Sequence, residues 1–143
     1  MRDDEALGIA DYPLAEQRPE LVHTARGRGL DGVTLDAVMA GEIGLDDLAI
    51  TPDALRRQAA IARAAGRATL ALNFERAAEM VAIPQDKIFA AYEMLRPGRA
   101  KDKAALLRVA AELRREYAAE TLAAFVEEAA EVYDRRGLFA ARF

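Results

Sequence analysis

Residues 101–137 read KDKAALLRVAAELRREYAAETLAAFVEEAAEVYDRRG. No proline or glycine interrupts the run before Gly137, and most of its residues are strong helix formers. The pattern predicts one helix over about 101–136, with Gly137 as its stop. At 1.5 Å per residue a straight helix of that length would span roughly 50 Å, whereas a compact chain of this size has a radius of gyration of about 14–15 Å. Such a helix would project beyond a simple globule.

The apolar face of this run changes part-way along. Leu106, Val109, Ala110, Leu113 and Tyr117 share one side of a helical wheel. Leu122, Phe125, Val126, Ala129, Val132 and Tyr133 take a nearly opposite side, and Glu120, Glu127, Glu128 and Glu131 occupy the first. The drift of about 20° per heptad in a straight helix cannot produce that switch. A continuous helix that switches faces near 118–121 must meet different bodies in its two halves. Those bodies are offset neighbours in an antiparallel bundle, or else an internal core on one stripe and a partner subunit on the other.

Toward the N-terminus, Arg96-Pro97-Gly98 ends a helix predicted over 84–95, which Ile83-Pro84 opens. Thr51-Pro52-Asp53 is a helix start. The threonine caps, the proline sits where its missing N–H costs nothing, and the aspartate meets the positive end of the dipole. The pattern that follows predicts a helix over 52–82, and it also changes face. Leu55, Ala59, Ile61, Ala62 and Ala65 oppose Arg56, Arg63 and Arg67, but beyond Gly66 Leu70, Phe74 and Val81 move to the arginine side. Thr34 is the expected cap of a short helix over 34–40 that Gly41 stops, and 44–49 reads as a further turn. Residues 1–33, punctuated by Pro13, Pro19, Gly27, Gly29 and Gly32, read as an irregular N-terminal arm lying extended over something else. The expectation is an all-α chain: an irregular arm, 1–33, and a helical domain, 34–143, that packs on a partner subunit. No strand alternation and no internal repeat is visible.

Composition narrows the function. The 143 residues suit one domain, and 52% hydrophobic with 31% charged residues is ordinary for globular protein. The absence of cysteine excludes disulfides, thiolate nucleophiles, zinc ribbons and iron–sulfur clusters, and suits a reducing cytoplasm. The acidic start lacks the form of a signal peptide, and no apolar run approaches the roughly 20 residues of a membrane helix. A net charge of −4 offers no bulk positive field for nucleic acid. Alanine, at 33 copies, favours helix but makes a thin core, which gains from close helix contact or from a partner.

No catalytic constellation is present. There is no serine, so Ser-His-Asp catalysis is ruled out, and the single histidine, His23, cannot build a metal site alone. Arg26-Gly27-Arg28-Gly29 lacks the strand and helix start of a phosphate loop and reads as a plain turn. Glu127, Glu128, Glu131 and Asp134 form the densest carboxylate patch. Without a Glu-x-x-His pair they read as a solvated acidic face, with Glu131 and Arg135 forming an i,i+4 pair worth about 0.3 kcal/mol. Asn73-Phe74-Glu75-Arg76 puts polar groups beside an aromatic on a helix, which pairing across a helix interface explains as well as catalysis would. The expected sets of catalytic, cofactor-binding and metal-binding residues on this chain are all empty.

The punctuating segments, taken in order, carry a resemblance. They are Asp11-Tyr12-Pro13-Leu14-Ala15, Pro19-Glu20-Leu21, Val33-Thr34-Leu35, Gly41-Glu42-Ile43-Gly44, Asn73-Phe74-Glu75-Arg76-Ala77-Ala78-Glu79, Leu95-Arg96-Pro97 and Glu131-Val132-Tyr133. Together, over about 11–137, they resemble the small (gamma) subunit of adenosylcobalamin-dependent diol and glycerol dehydratases. The resemblance implies a radical dehydration of 1,2-diols or glycerol to aldehydes by a dimer of heterotrimers with large (alpha), medium (beta) and small subunits. It further implies that substrate and a cation bind in the large subunit and the cobalamin between large and medium subunits. The small subunit would pack on the outside and supply no catalytic group. Nucleic acid and membrane are not expected partners. The expected location is the cytoplasm, with enclosure in a bacterial microcompartment left open. A stand-alone helical adaptor is the alternative.

Overall fold

The computed structural model describes residues 6–139. Helices α1 (Leu14–Gln17), α2 (Leu35–Met39), α3 (Leu45–Leu48), α4 (Pro52–Ala64), α5 (Ala68–Met80), α6 (Gln85–Leu95), α7 (Lys103–Tyr117) and α8 (Glu120–Arg136) follow one another. Among the described residues the only β pairing is an isolated bridge between His23 and Gly29, so the chain is all-α as expected. None of the described helices is long and apolar enough to cross a membrane. The chain divides into two compact units, one ending at Ala78 and the other beginning at Glu79.

In the second unit the structure corrects the single helix expected over 101–136. The chain breaks at Ala118, which adopts the left-handed conformation with φ 52° and ψ 29°. The Ala118 N–H donates to the Arg114 carbonyl, the single bond of a left-handed helix stop, and the Ala119 N–H reaches back to the Leu113 carbonyl. α7 and α8 then pack as an antiparallel hairpin. Lys103, at the start of α7, reaches Glu131 at 2.6 Å and Asp134 at 3.8 Å near the end of α8. Arg114 holds both oxygens of Glu127 at 2.6 and 3.1 Å and also Glu120 at 2.8 Å. The acidic stripe of α8 is therefore half of a set of cross-helix ion pairs, and Glu131 is matched by Lys103 rather than through the expected pair with Arg135.

The break also explains the change of face. Leu106 and Leu113 from α7 and Leu122 and Val126 from α8 are buried in one core, with Ile83, Ala110 and Ala123. The two stripes meet in this core, although Phe125 of the second is 38% exposed. The expectation that they serve separate bodies does not hold for the residues of this core.

With Ala119 as its N-cap, α8 has no capping side chain of its own. The Glu79 carboxylate supplies the cap from the end of α5, accepting from the Thr121 N–H at 2.9 Å and the Leu122 N–H at 2.7 Å. It satisfies two orphan donors and places negative charge at the positive end of the helix dipole. At the other end of α8 the Tyr133 hydroxyl donates to the Leu95 carbonyl, tying α8 to the last residue of α6.

The helix expected over 52–82 is likewise two helices. α4 ends at Ala64, Gly66 turns with φ 73°, and α5 begins at Ala68. Ala59, Ala62 and Ala71 pack together with Phe74, while Leu70 and Val81 stay exposed. Thr51 caps α4 as expected, its hydroxyl accepting from the Ala54 N–H at 3.2 Å, and Thr34 caps α2 in the same way. The described part of the arm does not run extended. It folds into short turns braced by Arg18, which holds Asp11 at 3.2 Å and also pairs with Glu20. The Arg57 guanidinium reaches from α4 to the Leu21 carbonyl.

A left-handed backbone strains an alanine by about 1–2 kcal/mol, and the Ala118 side chain is exposed, so little packing is at stake. After allowing for the larger unfolded-state entropy of glycine, Ala118→Gly is expected to raise stability by about 0.5–1 kcal/mol, read as a higher urea midpoint. A lower midpoint would contradict the strained-stop description.

Candidate functional site

Arg26-Gly27-Arg28-Gly29 forms a tight turn. The Thr24 N–H donates to the Arg28 carbonyl, the Gly27 N–H donates back to Thr24, and Gly27 takes the left-handed conformation with φ 79°. Both arginines of the turn are committed internally. Arg28 pairs with Glu42 at 3.3 Å, and Arg26 grips the Asp47 carboxylate with two guanidinium nitrogens while also donating to the Glu42 carbonyl at 2.9 Å. Asp47 is buried, with 5% of its surface exposed, and its carboxylate also accepts from the Gly44 N–H at 3.0 Å. Burial alone would raise its pKa. The Arg26 hydrogen bonds and the Gly44 N–H outweigh that, with help from Thr24, and hold the carboxyl well below the usual range.

This arrangement turns α3 inside out. The helix buries its carboxylate and exposes its leucines, Leu45 at 86% and Leu48 at 58%. α2 is inverted in a milder way. It buries Ala37 and exposes Leu35 at 75% and Met39 at 79%, one turn apart on the same face. The two helices are locked in this pose because the Ala37 carbonyl accepts from the N–H groups of both Glu42 and Ile43, and Ile43 is buried. With Val38 and Ile50, six large apolar side chains between 35 and 50 face solvent. Fully burying such a side chain contributes about 1.5–3 kcal/mol, so on the order of 10 kcal/mol of apolar burial is unrealised here. A solvated surface helix ordinarily places its leucines inward, and an exposed apolar cluster marks a contact face. The sequence signal for this segment was its run of Leu and Met at helical spacing, but nothing local showed which side would face in.

His23 is exposed beside Glu20 and Asp31 in an open depression of about 380 Å³. Among the described residues no group of three or more His, Asp or Glu is placed to hold a metal ion. In the second unit a groove between α6 and α7 is lined by Ala91, Met94, Val109 and Tyr117 and bridged by Lys87 and Glu112 at 2.8 Å. Its volume of about 100 Å³ lies well below the roughly 300–1,000 Å³ of ordinary small-molecule sites. Asn73 and Arg76 hydrogen-bond each other at 3.1 Å along α5, and Glu75 pairs with Arg63 of α4. Neither the depression nor the groove brings together a nucleophile, a base and an orienting group.

A family model described as "Dehydratase small subunit" matches residues 7–140. The chain is 48% identical over 128 residues to the propanediol dehydratase small subunit of Salmonella typhimurium, covering 90% of this chain and 73% of that protein. It is also 48% identical over 129 residues to the propanediol dehydratase small subunit of Citrobacter freundii, covering 90% of this chain and 74% of that one.

The depressed Asp47 carboxyl makes the first unit acid-sensitive. Its folded pKa lies below its unfolded value, so its contribution is complete above the usual carboxylate range, begins to drain as pH falls through that range and is gone only below the depressed folded value. Asp47→Asn is expected to lower the urea midpoint at pH 7 and to narrow the gap to the parent chain by pH 3. A gap that stays constant with pH would show that the carboxylate charge is not what holds α3.

Proposed function

The chain belongs to the dehydratase small-subunit family, and on that premise we propose that it is a non-catalytic subunit whose work is to dock on and stabilise the large subunit of a diol dehydratase. The observation that carries this reading is the 48% identity to propanediol dehydratase small subunits over 90% of the chain. It makes the chain the small subunit of a hydro-lyase complex that removes water from a diol. Either a 1,2-diol or glycerol would give an aldehyde.

The physical reading supports the division of labour. Among the described residues no three His, Asp or Glu are grouped to hold a metal ion. Adenosylcobalamin, which supplies the radical chemistry in this proposal, is far larger than a groove of about 100 Å³, and the depression beside His23 is open and edged by acids. Neither cavity fits that cofactor, and no described group of acids or histidine fits its companion cation, so we assign both to the large and medium subunits. What this chain offers is an outward apolar segment in its first unit and a rigid, ion-paired hairpin in its second. The assembly we propose is a dimer of heterotrimers in the cytoplasm.

The test is co-expression with candidate large and medium subunits, followed by co-purification and assay of aldehyde formation from 1,2-propanediol with adenosylcobalamin. The expected outcome is a three-subunit complex with activity, while the purified small chain gives no turnover and retains no cobalamin. Turnover by the small chain alone, or its failure to co-purify with either subunit, would overturn the proposal.

A further inference from the structure

Residues 30–53 contain six acids, Asp31, Asp36, Glu42, Asp46, Asp47 and Asp53, and no lysine or arginine. Arginines from outside the segment already match half of these. Arg26 holds Asp47, Arg28 holds Glu42, and Arg56 pairs with Asp53 at 3.3 Å. Asp31, Asp36 and Asp46 stand exposed, the last two on the same short helices as Leu35, Met39, Leu45 and Leu48. Asp36 and Asp46 lie in the first turns of α2 and α3, where acids suit the helix dipole. The dipole does not account for the absence of any base across the segment, nor for the outward leucines.

We propose that residues 35–50 are the docking face for another dehydratase subunit, and that the surface it meets is apolar at its centre and ringed by lysine or arginine. This inference rests on the functional reading above, under which the occupant is the large subunit. The apolar side chains supply burial, and the exposed carboxylates of Asp36 and Asp46 supply orientation and exclusion of wrong partners. Because the rim charges are exposed, their attraction is screened by salt, whereas the apolar part is not.

The experiment uses the co-expressed three-subunit enzyme with an affinity tag on the large subunit, and reads the fraction of small subunit retained as NaCl rises. Retention of the parent chain should fall with salt. Asp36→Lys with Asp46→Lys should cut retention at least about tenfold at low salt, equivalent to roughly 1.4 kcal/mol, and flatten the salt dependence. Leu45→Gln and Leu48→Gln should cut retention at every salt concentration. These side chains are exposed, so the far-ultraviolet circular dichroism of each variant should match the parent. Glu128→Lys, a reversal on an exposed position of α8, should leave retention unchanged.

If the parent chain is retained and all the segment variants are retained equally, residues 35–50 are not the docking face. If Glu128→Lys weakens retention as much as the double reversal, the rim has no special role and the proposal fails. If the segment variants release the small chain from the medium subunit but not from the large one, the assigned occupant is wrong. If the parent chain is never retained by either subunit, the failure lies in the functional reading itself.

Discussion

The grip of Arg26 on Asp47 decides how the first unit presents itself. A carboxylate is costly to bury unless it is paired and hydrogen-bonded, and Asp47 is both. Successive residues of a helix are rotated by about 100°, so an inward Asp47 necessarily turns Leu45 and Leu48 away from the interior. The turn at Gly27 serves this end, since it brings Arg26 and Arg28 back over Asp47 and Glu42. The segment from Leu35 to Ile50 turns Asp47 inward and leaves most of its large apolar side chains outside. A monomer gains nothing from that order, but a subunit that must recognise another protein does.

The second unit is built the other way round. Half of the ten buried residues of its core are alanine, so the stability of the α7–α8 hairpin depends on close approach of the two helices rather than on large side chains. Three polar devices fix that approach. Arg114 clamps Glu127, Lys103 clamps Glu131, and Glu79 caps α8. Arg114 draws the Glu127 carboxyl below its usual range, as the grip of Arg26 does for Asp47. Two of the segments that carried the family resemblance meet in this unit: Tyr133 of Glu131-Val132-Tyr133 bonds to Leu95 of Leu95-Arg96-Pro97. A third, ending in Glu79, supplies the cap. These motifs hold helices together, which is a sufficient reason for their presence.

What could be read from the sequence followed the range of the interactions. Thr34 and Thr51 were legible as caps because a cap acts within three residues. The all-α class and the helix over 84–95, observed as Gln85–Leu95, were legible from composition and punctuation. The stop at Ala118 was not, because the residue is alanine and the cap that follows comes from Glu79, far back in the chain. Its trace was the change of apolar face, which was real but recorded a reversal of the chain rather than a change of partner. The outward pose of residues 35–50 was hidden for the same reason, since it depends on Arg26 and Asp47, which are distant in sequence.

The central claim is that the inverted segment is covered in the assembled enzyme. Met39 is 79% exposed in this chain, more than Met80 at 38% or the half-buried Met94, so in an isolated subunit it would meet a soluble oxidant first. The direct measurement is peroxide oxidation of the assembled dehydratase, followed by peptide mass analysis of methionine sulfoxide at each position. Met39 is expected to oxidise more slowly than Met80 in the complex. Oxidation of Met39 ahead of Met80 in the intact, active complex would show the face open to solvent and contradict it.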